Sequence, residues 1–192
     1  IGTMAAILLW RFRFPGKGGY EAFMGLPIVI PEICMGVALL LFFNATGMMT
    51  GVVGTPWPFN LINIIIAHVA FCFPFVTIVV RSRLVGFNRQ LEEASKDLGA
   101  SEWQTFRNVI IPFMMPGIIA GALLAFTLSL DDFVITFFTS GPETVTFPVK
   151  VYSLVRRGVS PEINAASTVL IVITIVATII AMKLQAPEKT GH

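Results

Sequence analysis

Charge is what this sequence has least of. Asp, Glu, Lys and Arg make up 12% of its 192 residues, about half the roughly 25% of an ordinary soluble domain. Hydrophobic residues make up 55% and the mean hydropathy is +0.82, a balance that belongs to a membrane protein. The net charge of +2 is too small to point to a nucleic-acid partner. Cysteine is nearly absent too: Cys34 and Cys72 both lie inside apolar runs, the habit of small core-filling thiols. Cys72 follows His68 by four residues, so the two share a helix face, but a zinc site needs further ligands and no metal site is expected. A phosphate-binding loop is missing as well. "PGKGG" (15 to 19) lacks the G-x-x-x-x-G-K-[ST] spacing and a preceding strand, so it reads as a turn and the chain is expected not to be an enzyme.

What is there is long apolar sequence. A hydrocarbon core of about 30 Å needs roughly 20 apolar residues in a helix. Spans are expected over 22–45, 61–80, 116–138 and 163–183, with the third starting near Pro116 or a few residues earlier. Backbone groups in lipid must be satisfied within their own segment, and no alternating ten-residue pattern suggests a barrel, so the expected fold is an all-α transmembrane bundle in one domain, 1–192. Residues 1–10 are too short to span and read as the end of a truncated helix, which makes the chain N-terminally incomplete on this reading.

The cations set the orientation. If the segment after the first ten residues is cytoplasmic, the inner side carries Arg11, Arg13, Lys17, Arg81, Arg83, Arg89, Lys96, Arg107, Lys183 and Lys189, and the outer side only Lys150, Arg156 and Arg157. That is a positive-inside bias, and it places residues 88–112 in the cytoplasm.

The 88–112 loop is punctuated for two short helices. Asn88 suits an N-cap, Leu91, Ala94 or Ser95 and Leu98 form one stripe, and Gly99 suits a left-handed C-terminal position. Ser101 with Gln104 makes a capping box, and Trp103, Phe106, Val109, Ile110 and Phe113 follow at helical spacing. A solvated linker needs neither caps nor an apolar stripe, and an interfacial helix is usually richer in Lys and Arg than "EEASKD". A face that docks a soluble partner is the third reading and the one the pattern favours.

Glu93, Ala94, Ser95, Gly99 and "VIIP" (109 to 112) resemble, at both spacings, the E-A-A, three residues, G, nine residues, I-x-L-P signature of permease subunits of bacterial ATP-binding-cassette importers. Ser95 stands for the second Ala, and Val109 and Ile111 replace Ile and Leu. "AHVAFCFPFV", "LLAFTLSLDDFVITFFTSGP" and "RRGVSPEINA" extend the resemblance to the second permease subunit of the spermidine/putrescine family, over nearly the whole chain. The resemblance implies a type I importer permease in the bacterial inner membrane. Its coupling loop, with Glu93, Ala94, Ser95, Asp97, Gly99 and Ala100, would seat in a cytoplasmic ATPase dimer that uses ATP-Mg, while this chain binds no cofactor. It also implies a second, homologous permease subunit, an extracytoplasmic substrate-binding protein, and surrounding lipid.

Carboxylates inside a span are costly unless they face protein or water. Glu32 is the first, placed about mid-membrane, roughly 15 Å deep, if its helix begins at Ala22 and rises 1.5 Å per residue. Asp131 and Asp132 fall in the outer half if their span begins at Gly117, or at the outer surface as ordinary helix-end carboxylates if it begins near Ile110. Acids lining a pathway suit a cation such as a polyamine. The resemblance associates these positions with substrate passage, although its usual residue at Glu32 is Asp. Gly117, Gly121 and Ala125 make a small-residue face for close packing, within the subunit or against a partner. His68 reads as a hydrogen-bonded interior residue, or as a proton relay. The rivals are a permease for another small organic solute, a proton-coupled secondary transporter using Glu32, His68, Asp131 and Asp132, and a purely structural subunit; no internal repeat supports the transporter.

Overall fold

The computed structural model describes residues 1–46, 59–141, 144–156 and 161–185. Arg157 and Lys189, counted above among the cations, lie outside these residues. Every regular element among the described residues is helical. α1 (Gly2–Arg11), α2 (Lys17–Val29) and α3 (Glu32–Ala45) precede the long α4 (Phe59–Val85). The short α5 (Gln90–Asp97) and α6 (Glu102–Thr105) lead through a π turn (Phe106–Ile110) into α7 (Ile111–Asp131), and α8 (Val134–Thr139), α9 (Phe147–Val155) and α10 (Pro161–Gln185) follow.

Among the described residues, two stretches are long and apolar enough to cross a membrane unbroken, Leu61–Val85 and Glu102–Asp131. α4 is the hub, with α1, α2, α7 and α8 all packed on it. Lipid tails are as apolar as Leu, so helices in a membrane associate through close van der Waals contact rather than escape from water. Glycine supplies the closeness. A Cβ on Gly121 would lie 3.1 Å from Val76 Cγ1, and one on Gly117 3.1 Å from Arg83 Cβ. The small-residue face of α7 is therefore used within the subunit, against α4. Among the described residues three buried clusters result, one around Val80, Leu84, Ile110 and Met114 at the basic end, another around Phe43, Phe71 and Ile135 towards the opposite end, and a small one of Ala5, Leu9 and Met24 between α1 and α2.

The structure departs from straight spans in two places. The stretch 22–45 is α2 and α3 meeting at a bend of 108°. Proline drives the residue before it out of the helical region, and Ile30 and Pro31 are both extended, with ψ of 133° and 135°. Glu32 consequently opens α3, and a depth counted along one helix from Ala22 does not apply. In the third stretch the helix starts well before Pro116 and runs 30 residues from Glu102 to Asp131, about 45 Å at 1.5 Å per residue. Its π turn sits just ahead of Pro112, where a proline ring would otherwise strike the carbonyl four residues back. Asp132 then turns extended, ψ 121°, and ends α7.

Candidate functional site

The basic-side loop is built by its caps. Asn88 does not take the N-cap position its sequence suited: that residue is Arg89, without a side-chain cap bond, and Asn88 Oδ1 instead accepts the Gln90 N–H at 3.0 Å in the turn just ahead of α5. At the other end Gly99 is left-handed, φ +83°, while Gly99 N–H donates to Lys96 O at 2.8 Å and Ala100 N–H to Ser95 O at 3.1 Å. That pair of bonds is a Schellman motif, and only glycine takes its backbone angle without strain. α6 starts two residues later, where Ser101 N–H donates to Gln104 Oε1 at 2.7 Å and Gln104 N–H to Ser101 Oγ at 3.3 Å. Ser95 Oγ meets buried Thr105 Oγ1 at 3.1 Å and fastens the two helices together.

This geometry turns one face outward. Glu93, Ala94, Asp97 and Gly99 are exposed, and Ser95 and Ala100 are half-buried. Leu98 is 90% exposed and Trp103 66%. Large apolar side chains held in water beside carboxylates are what a docking face presents before its partner arrives.

Behind that face lies an ionic cluster that the sequence reading did not find. Arg11 at the end of α1 grips Glu92, with Nη2 to Oε1 at 2.9 Å and Nη1 to Oε2 at 3.2 Å. The hydrogen bond from Arg11 holds the Glu92 carboxyl below the ordinary range, against the opposing effect of burial. The i, i+4 spacing of Glu92 and Lys96 was visible in the sequence; Arg11, 81 residues away, was not.

The acids placed in the membrane have separate fates. Glu32 is exposed in the first turn of α3, where the positive end of the helix dipole favours a carboxylate. Asp131 is exposed at the last residue of α7. Asp132 is buried and fully engaged: Oδ1 accepts from Ile135 N–H at 3.2 Å, and Oδ2 from Thr136 N–H at 2.8 Å and Thr136 Oγ1 at 2.6 Å. It thereby caps the start of α8. His68 Nε2 is 3.4 Å from Asp132 Oδ2, and Nδ1 is 2.7 Å from Ser129 Oγ. Cys72 faces the carbonyl of Ala125, with Sγ to O at 3.8 Å, so it is a packing residue beside α7 while His68 bonds elsewhere. α3 packs on α8, where a Cβ on Gly36 would lie 2.6 Å from Phe138 Cδ2, so the helix that Glu32 opens lies against the one that Asp132 caps, while Asp131 ends α7.

Residues 1–186 of this all-helical chain match the family of binding-protein-dependent transport system inner membrane components. The chain belongs to that family: it is a multi-pass inner-membrane permease of an ATP-driven importer and not the catalytic subunit. Among its relatives is the spermidine/putrescine transport system permease protein PotC of Escherichia coli (strain K12), 42% identical over 190 residues that cover 99% of this chain and 68% of that protein. The putrescine transport system permease protein PotI of the same organism is 45% identical over 172 residues, 89% of this chain and 60% of that protein. The molybdenum transport system permease protein ModB, also from that strain, is 32% identical over 188 residues, 94% of this chain and 81% of that protein. A permease of this class works with an ATPase, a partner permease and a binding protein.

Proposed function

We propose that this chain carries a polyamine of the spermidine or putrescine type into the cytoplasm. The observation that carries the substrate is the gradient of similarity: 42% and 45% identity to the two permeases named for polyamines, against 32% to the one named for molybdenum. Exposed Glu32 and Asp131 supply carboxylates for a cation's ammonium groups, and Asp132 shapes the chain beside them. A binding protein delivers substrate from outside, and a second, homologous permease completes the pathway. An ATPase dimer that uses ATP-Mg docks on the 88–112 loop, at Glu93, Ala94, Ser95, Asp97, Gly99 and Ala100. ATP binding there moves the loop, and the spans tilt as rigid bodies to change the side on which the pathway opens.

The test is uptake of radiolabelled putrescine, spermidine and molybdate by the complex reconstituted with its ATPase and binding protein. ATP-dependent accumulation of a polyamine is expected, and accumulation of molybdate alone would overturn the substrate. Glu93→Lys is expected to leave the subunit inserted but uncoupled; full substrate-stimulated ATPase activity and transport in that variant would end the docking reading.

A further inference from the structure

Four side chains close a ring at the basic end of the fold. Arg11 Nη2 meets Glu92 Oε1 at 2.9 Å and Glu102 Oε2 at 3.2 Å, and Lys96 Nζ meets Glu92 Oε1 at 3.2 Å and Glu102 Oε1 at 2.6 Å. Two cations and two anions alternate, so the ring is neutral and every charge in it has two partners. Isolated surface ion pairs contribute little, but a bidentate Arg–carboxylate pair inside a network is the geometry in which they matter. The Glu92 side chain is only 13% exposed, which shields it from screening.

The ring joins the last residue of α1 to α5 and to the first residue of α6. A second contact reinforces the join, with Trp10 lying under the Arg89 guanidinium at 5.7 Å and against the Phe87 ring at 5.5 Å. α1 in turn runs against α4, where a Cβ on Gly2 would lie 2.9 Å from the Phe73 carbonyl oxygen. Beside the ring is a cleft of about 320 Å³, lined by Trp103, Phe106 and Ile110 along with Arg11 and the two glutamates. Glu102, 72% exposed, has room there to change rotamer while Glu92 stays gripped.

We propose that Arg11 is a positioning residue of the transport cycle, binding α1 to the α5–α6 loop through Glu92 and Glu102 so that the loop and α1 move as one body. This rests on the reading that the loop docks the ATPase. Without the ring, α5 packs chiefly on α6 and the π turn, and a push on the loop would reach α1 through Trp10 and its neighbours, with no ionic contact to hold the two in register. With it, the push also reaches α1 through a fixed ionic contact, and through α1 the Phe73–Val76 stretch of α4.

The experiment compares Arg11→Gln, Arg11→Lys, Arg11→Gln with Glu92→Gln, and Arg13→Gln in the reconstituted complex with its ATPase and binding protein, reading ATPase retained and substrate moved per ATP. Arg11→Gln is expected to keep the ATPase bound but to lower transport per ATP about tenfold, the scale of one lost charge-assisted contact. Arg11→Lys keeps the charge but not the fork, and is expected to lower the ratio about threefold, a smaller loss than Arg11→Gln but a measurable one. The double variant is expected to be no worse than Arg11→Gln, because partners in one contact do not add. Arg13→Gln removes an equal charge from exposed Arg13 and is expected to change nothing. A normal ratio in Arg11→Gln, losses that multiply in the double variant, or release of the ATPase by Arg11→Gln would each overturn the proposal. If Arg11→Gln does not insert, Arg11→Lys decides, and an unchanged ratio there is fatal. Normal coupling in Arg11→Gln beside uncoupled Glu93→Lys sinks the ring alone; normal coupling in both takes the docking reading with it.

Discussion

His68 Nε2 stands 2.8 Å from Thr136 Oγ1 and joins α4 to α8 across the break after Asp131. The Thr136 hydroxyl donates to Asp132 Oδ2, so it accepts the proton of Nε2. Nδ1 lies 2.7 Å from Ser129 Oγ, so the ring is engaged at both nitrogens. These contacts link α7 through α4 to the carboxylate that caps α8. His68 is therefore a hydrogen-bonded residue between helices, as one of the two readings of the sequence had it.

Asp131 and Asp132 are therefore expected to fail differently. Asp132→Ala removes a cap and leaves buried donors unpaired, a loss of about 1–3 kcal/mol, seen as a lower unfolding temperature in detergent. Asp131→Asn is expected to leave that temperature unchanged while reducing polyamine uptake about tenfold, on the scale of a lost charged hydrogen bond. Equal unfolding temperatures for the two variants would show that the buried carboxylate does not hold α8.

Two helical glycines make a matched pair. A Cβ on Gly36 meets Phe138, whereas one on Gly25 meets nothing within 4 Å. Gly36→Ala is expected to destabilise by about 1–3 kcal/mol through overpacking. Gly25→Ala is expected to gain up to about 1 kcal/mol of helix propensity. Thermal unfolding of the two variants side by side measures both signs, and a stabilising Gly36→Ala would mean that α3 and α8 do not pack as described.

The Glu92 carboxyl titrates below its ordinary range because Arg11 hydrogen-bonds the charged form. A carboxyl depressed in the folded state stabilises above the ordinary Glu value, about 4.3, and loses that contribution as pH falls through the lowered value. The loop is therefore expected to stay fastened from neutral pH down past the ordinary range. Arg11→Gln should move its release to higher pH. Unfolding temperature followed from pH 7 downward tests this, and coincident acid limbs for the two proteins would contradict it.

At Gly99 the open surroundings isolate backbone strain from crowding, since a Cβ there meets nothing within 4 Å. Gly99→Ala is expected to cost about 1–2 kcal/mol from its left-handed angle, and Gly99→Asn less. Hydrogen exchange of the α5 amides reads this directly: faster exchange in Gly99→Ala than in Gly99→Asn is the expected order, and the reverse order refutes it.

Local punctuation carried the loop. Gly99 and the Ser101–Gln104 box each act within five residues, so their bonds follow from spacing alone. The proline at 31 was equally visible, yet a window of apolar residues reads the same straight or bent. Taking 22–45 as one helix put Glu32 at a depth that the 108° bend removes. The burial of Asp132 was hidden for a different reason, since His68, 3.4 Å from its carboxylate, comes from α4, which only the fold brings alongside.

By itself the sequence determined the membrane class, the helical punctuation and the family, because hydropathy, caps and motif spacing are local properties of the chain. Tertiary structure alone decided which of two adjacent aspartates is free, that the small face of α7 is spent on α4, and that Arg11 holds Glu92. Each of these depends on contacts between residues far apart in sequence, which no local pattern encodes.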